Sequence, residues 1–110
     1  MSNLLHQRCQ AISGGAPMSD AAVRDHLAQV SGWHQSNGAI EKTFAFQNYH
    51  ETISFVNALA WICNTEDHHP DLHVTYDRCV VRFNTHSVNG VSINDFICAA
   101  KADALVSFIA

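Results

Sequence analysis

Apolar and polar side chains alternate with changing period along the chain, and each change of period marks an element. From Leu72 onward the period is two: Leu72, Val74 and Tyr76 alternate with His73 and Thr75. Beyond Asp77-Arg78, Cys79, Val81 and Phe83 alternate with Val80, Arg82 and Asn84. This predicts an antiparallel hairpin. With Asp77-Arg78 as a two-residue loop, Tyr76 faces Cys79, and counting outward sets His69 opposite His86. Leu72, Val74, Tyr76, Cys79, Val81 and Phe83 then share an apolar face. His69, Asp71, His73, Thr75, Arg82, Asn84 and His86 share the other, which Val80 interrupts. His68 has the opposite parity and joins that site where the backbone turns at Pro70, which cannot donate to a ladder.

Elsewhere the period is helical or punctuated by turns. Residues 1–17 read as a mobile lead-in with room for one short helix, ending at Gly14-Gly15-Ala16-Pro17. Ser19 can cap a helix to about Val30, with Val23, Leu27 and Val30 on one side and Gly32 as its stop. Residues 33–36 suit a short strand, and Asn37-Gly38 is a strong hairpin signal. The strand that follows carries Ile40, Phe44 and Phe46 on one face, interrupted by Lys42 as an edge strand would be. Asn48 and Glu51 resemble a capping box opening a helix to about Thr65. Its stripe is Ile53, Val56, Leu59, Ala60 and Cys63, widened by Phe55 and Ile62. Ser92 and Asp95 cap a last helix in which Ile93, Ile97, Ala100, Ala104 and Phe108 share a face. The order α-β-β-α-β-β-α predicts an α+β domain over residues 18–110, a four-stranded antiparallel sheet with three helices on one face. The other face is then free for a site.

Composition narrows the function. The chain has 110 residues, 47% of them hydrophobic, enough for one core. A formal charge of −4 with only six Lys and Arg leaves no basic stripe for phosphates, so neither direct nucleic-acid binding nor an anionic membrane surface is expected. Leu4-Leu5 is too short an apolar run for a signal peptide or a membrane span, and a cytoplasmic location is expected. Cys9, Cys63, Cys79 and Cys98 form no C-x-x-C pair and are expected as free thiols. The chemistry concentrates in Asp67-His68-His69-Pro70-Asp71, Thr85-His86 and the segment from Gly90 to Asp95. Imidazole and carboxylate could in principle bind zinc, but no H-E-x-x-H arrangement is present and no metal is expected. His6, His26, His34, His50 and His73 are most simply surface residues.

Asp67-His68-His69-Pro70-Asp71, Tyr76, Thr85-His86, Gly90-Val91-Ser92 and Asp95, with Gly32-Trp33 upstream, resemble the signature of the pterin-4a-carbinolamine dehydratase family. Asn64 stands where many members carry an acidic residue, and Leu72 replaces a common Trp. The resemblance implies dehydration of 4a-hydroxytetrahydropterin to quinonoid dihydropterin, recycling the pterin of aromatic amino-acid hydroxylases without metal or organic cofactor. It implies that His68, His69 and His86 are catalytic, and that Pro70, Thr85, Ser87 and Val88 border the pterin with them. The reaction suits imidazole, because the leaving hydroxyl takes up a proton while the ring loses one. His68 and His86 are the favoured proton-transfer pair, with His69 orienting the ring, although the cross-strand count leaves the reverse open. Trp33 is a candidate aromatic wall, and Asp95 a support for His86 or the loop before it. Family members form homodimers through sheet edges and homotetramers through helices, and Trp61, opposite the core stripe, is a candidate contact. The alternative is a non-catalytic binding module, a dimerisation or transcriptional cofactor such as some relatives provide.

Overall fold

Local signals start most of the elements in the computed structural model, which describes residues 3–107. The Ser19 hydroxyl accepts from Ala22 N and opens helix α1 (Asp20–Leu27). Gly32, at φ +86°, then turns the chain into strand β1 (His34–Ser36). Asn37 and Gly38 have φ of 47° and 77°, which only a primed turn demands, and they pair β1 with β2 (Ala39–Ala45). The Asn48 side-chain oxygen Oδ1 accepts from Glu51 N and opens α2 (Tyr49–Glu66). Strands β3 (Asp71–Val74) and β4 (Arg78–Phe83) follow, and α3 (Ile93–Val106) begins on the Ser92–Asp95 capping box.

The four strands lie in the order β1-β2-β4-β3, all antiparallel, with the helices over one face. Ile40, Phe44, Cys79, Val81 and Phe83 point into the core, where they meet Phe55 and Leu59 of α2 and Phe96 and Ile97 of α3. Each fully buried side chain of this size contributes about 1.5–3 kcal/mol. The expected α+β architecture and element order match.

Several details differ. Strand β2 is internal, not an edge. Lys42 is tolerated on its core-facing side because its ammonium pairs with Asp103 Oδ1 of α3 at 2.8 Å, donates to Ser31 O at 2.9 Å and lies 5.0 Å from the Phe44 ring. The hairpin turn is centred on Tyr76-Asp77: Thr75 N donates to Arg78 O at 2.9 Å, and Val74 opposes Cys79. Those turn residues are held by the end of β2 and the start of α2, since Phe46 N donates to Asp77 O and Thr52 Oγ1 to Tyr76 O. The register is therefore displaced by two, which keeps each side chain on its face but removes the His69–His86 pairing; the ladder ends at Asp71↔Arg82. Leu72 and Val74 on the edge strand, and Tyr76 in the turn after it, are exposed.

The buried stripe of α2 is Thr52, Phe55, Leu59, Cys63 and Glu66, about one residue away from the expected one, so Ala60 is exposed. Glu51 accepts from Gln47 N at 2.9 Å and not from the cap residue itself. Helix α3 is buried on more than one side, at Asn94 to Ala99 and at Ala102, because both α2 and the lead-in pack on it. Phe108 lies outside the described residues. His26 is half-buried, its Nδ1 2.8 Å from Ala22 O and its ring against Phe96. The lead-in holds a short 3-10 turn, Leu4–His6, and Leu4 is buried.

Candidate active site

The end of α2 aims the histidine pair. Asp67 takes the left-handed conformation (φ 54°), and His68 N donates back to Cys63 O at 3.1 Å. This Schellman-type ending reverses the chain in one residue and delivers His68 and His69 past the last helical turn. The second half of the site comes from the exit of β4. Thr85 and Gly90 exchange hydrogen bonds as an isolated bridge, and the 3-10 turn His86–Val88 is pinched between them. A Cβ on Gly90 would lie 2.6 Å from Pro17 Cβ, so this approach requires glycine.

These segments surround a cavity of about 450 Å³ lined by residues 9–12, 66–69 and 84–87 and by Asn94. It lies where α2 ends, β4 exits and α3 begins, not on the open face of the sheet. His68, His69, Thr85, His86 and Ser87 are brought together there. Pro70, just before β3, does not line the cavity, and Val88 is buried in the fold. Trp33 is a core residue, 5% exposed, packed on Phe44 and Phe83. Its indole N–H donates to both Asp103 oxygens at 3.1 Å. The sequence gives no means of telling this Trp from a ligand wall, because its partner is 70 residues away.

Behind the cavity Asp95 is fully buried and gathers its neighbours. Oδ1 accepts from His68 Nε2 at 2.5 Å; Oδ2 accepts from Thr85 Oγ1 and from Ser92 N, each at 2.9 Å. The Ser92 hydroxyl in turn donates to Thr85 Oγ1 at 2.7 Å. Capping and support of the site are thus one function of one carboxylate, and the histidine it holds is His68. With the proton fixed on Nε2, Nδ1 is the ring nitrogen offered to a bound molecule. The ring also stacks on Phe83, centroids 6.0 Å apart at 15°. His69 Nε2 donates to Asn64 Oδ1 at 2.9 Å, so an amide does the orienting. His86 is exposed, at the head of its 3-10 turn.

Residues 9–12, Glu66 and Asn94 were not anticipated. Glu66 had a findable signal, since it continues the stripe of Phe55, Leu59 and Cys63 as a charge on a core-facing position. Burial pushes its carboxyl up, but the Cys9 N–H at 2.8 Å, Lys101 and Arg8 outweigh that and hold it below the usual carboxylate value. Among the described residues no group of three or more His, Cys, Asp or Glu is arranged to hold a metal ion, and no helix is long and apolar enough to cross a membrane.

The family model for pterin 4 alpha carbinolamine dehydratase matches residues 16–105. The chain belongs to the pterin-4a-carbinolamine dehydratase family. A protein of Chromobacterium violaceum with the provisional name pterin-4-alpha-carbinolamine dehydratase is 50% identical over 103 residues, 94% of this chain and 95% of its own. One from Stenotrophomonas maltophilia with the same provisional name is 54% identical over 105 residues, 93% of this chain and 90% of its own. Among solved structures, a transcriptional coactivator/pterin dehydratase from Brucella melitensis superposes with a TM-score of 0.78 at 28% identity, covering 81% of this chain and 97% of that one. The family match contains every histidine of the cavity and Asp95, and leaves out residues 9–12.

Proposed function

We propose that this chain dehydrates 4a-hydroxytetrahydropterin to quinonoid dihydropterin and water by histidine acid–base catalysis, serving to recycle a pterin cofactor. The observation that carries the reading is the His68–Asp95 pair, 2.5 Å apart, at the wall of a cavity shared with His69 and His86. The elimination breaks the bond from C4a to the hydroxyl and removes one proton from the ring. His68 takes the ring proton at Nδ1, and the buried Asp95 carboxylate stabilises the imidazolium that results. His86, at the open mouth, donates to the departing hydroxyl and exchanges its proton with solvent. His69, fixed by Asn64, orients the ring, and Thr85 and Ser87 border it. Family membership supports the reaction class.

The test is turnover of enzymatically generated 4a-hydroxytetrahydropterin, with the spontaneous dehydration subtracted. A rate above background that falls at both acid and alkaline pH is expected; a rate equal to background refutes the reading. The binding-module alternative is favoured by Trp61, 75% exposed beside an apolar groove, and by the coactivator name of the Brucella relative. It predicts a stable complex with no turnover.

A further inference from the structure

We propose that the lead-in is part of the ligand site: residues 9–12 form the wall that meets the substituent on the pterin ring, and they set affinity and substituent preference instead of the chemical rate. This rests on the pterin reading above. Three observations carry it.

The lead-in is fastened on both sides of residues 11–12, at residues 4–10 and again at Met18, whose N–H donates to Val91 O at 2.8 Å. Gln10 N donates to Asn94 Oδ1 at 3.1 Å while Asn94 Nδ2 donates to Gln10 O at 2.8 Å, so one buried amide copies a strand partner. Cys9 N donates to Glu66 Oε1 at 2.8 Å. Farther out, Lys101 Nζ donates to Leu5 O at 2.7 Å, and Leu4 is 3% exposed in the core. Such a set of tethers fixes the backbone of residues 9–12 against the cavity instead of leaving it as a tail.

The tethers also land beside the histidine machinery. Glu66 is the last residue of α2, immediately before the Asp67 turn that aims His68, and Asn94 immediately precedes Asp95. Displacing the lead-in therefore opens the cavity at the point where it borders the reacting groups.

Finally, the chemistry of the walls divides. Segments 66–69 and 84–87 carry the imidazoles, so the reacting carbon and the polar ring edge belong there. Residues 9–12 bring Ala11 and a half-buried Ile12, and no charged group. Their one titratable atom, the Cys9 thiol, is turned to Asn94 O and to Cys98 Sγ, each at 3.6 Å. A wall without an acid or base contributes contact, and what remains to be contacted is the ring substituent.

The test uses the full chain with Leu4→Ser, which undocks the lead-in from a position outside the cavity lining, and Ile12→Ser, which alters the wall and keeps the tethers. For each, kcat and KM are measured with substrates bearing a methyl or a dihydroxypropyl substituent, dissociation constants with the matching unreactive 7,8-dihydropterins, and folding by thermal melting. Expected is a rise in KM and in dissociation constant of roughly tenfold, the size of an aliphatic contact in a pocket, with kcat within about twofold and the preference between substituents reduced. Unchanged KM and dissociation constants overturn the proposal, as does loss of kcat at constant KM. If Leu4→Ser fails to fold, Ile12→Ser decides alone. Wild-type protein that neither binds nor turns over pterin overturns both this proposal and the dehydratase reading; turnover with variants indistinguishable from wild type overturns only this one.

Discussion

Asp95→Asn separates the structural and chemical duties of one carboxylate. The amide keeps an oxygen where Oδ2 now accepts from Thr85 Oγ1 and Ser92 N, so the start of α3 and its cap survive. It puts an NH₂ where Oδ1 now accepts from His68 Nε2. Two donors cannot face each other, so His68 must move its proton to Nδ1, the nitrogen needed as the base. The charge-assisted bond lost is worth about 1.5–3 kcal/mol, part of which the new amide–imidazole bond returns, so a modest drop in Tm is expected. The rate should fall by about 10²- to 10⁴-fold, the usual contribution of a positioned acid–base group. Asp95→Ala is less informative, because it strands three buried donors at roughly 1–3 kcal/mol each, against a net stability of about 5–15 kcal/mol for a typical domain. Turnover is followed beside the ¹⁵N resonances of His68, which report its tautomer. A folded Asp95→Asn protein with the proton moved to Nδ1 and turnover within threefold of wild type would refute the assignment of His68 as base.

The remaining predictions address separate parts of the molecule. His86→Ala should leave melting nearly unchanged and lower turnover by about 10²- to 10⁴-fold less whatever spontaneous dehydration hides, while His73→Ala, exposed on β3 and outside the cavity, should change little; equal losses in the two would point to a general surface effect. Glu66→Gln should lower Tm most at neutral pH, with the difference closing in acid: a carboxyl held below its usual value stabilises the fold above that value and loses the contribution as pH falls through the lowered one. A difference that stayed constant from pH 7 to pH 3 would count against that role. Trp61, at 75% exposure, should sit in a contact between copies of the chain, so sedimentation should show an oligomer that Trp61→Ala weakens; a monomer at all micromolar concentrations would refute it.

Much of the fold was readable because local signals start its elements. Ser19, Asn48, Ser92 and Asp95 each take part in a cap hydrogen bond within four residues, and Asn37-Gly38 supplies the positive φ its turn needs, so no knowledge of the rest of the chain is needed. The misreadings arose where a distant partner decides. Lys42 looked like an edge marker because Asp103, 61 residues on, was invisible to it. The hairpin register slipped by two because the favoured turn residues, Tyr76 and Asp77, are chosen by Thr52 and Phe46 more than by their own preferences.

The candidate site shows the same division. The slip of two preserved parity along the ladder, but His69 and His86 reach one cavity through the αL turn at Asp67 and the Thr85–Gly90 bridge, outside the ladder. Asp95 was legible as a cap and as a support for the loop before His86; its hold on His68 was not, because it depends on how the ends of α2 and α3 meet. The lead-in was least legible of all. Its apolar residues follow no period, and its hydrogen bonds to Glu66 and Asn94 span 57 and 84 residues. Short-range rules could read the parts that move protons, whereas the wall that would select the substrate depends on long-range contacts that leave no pattern in the segment itself.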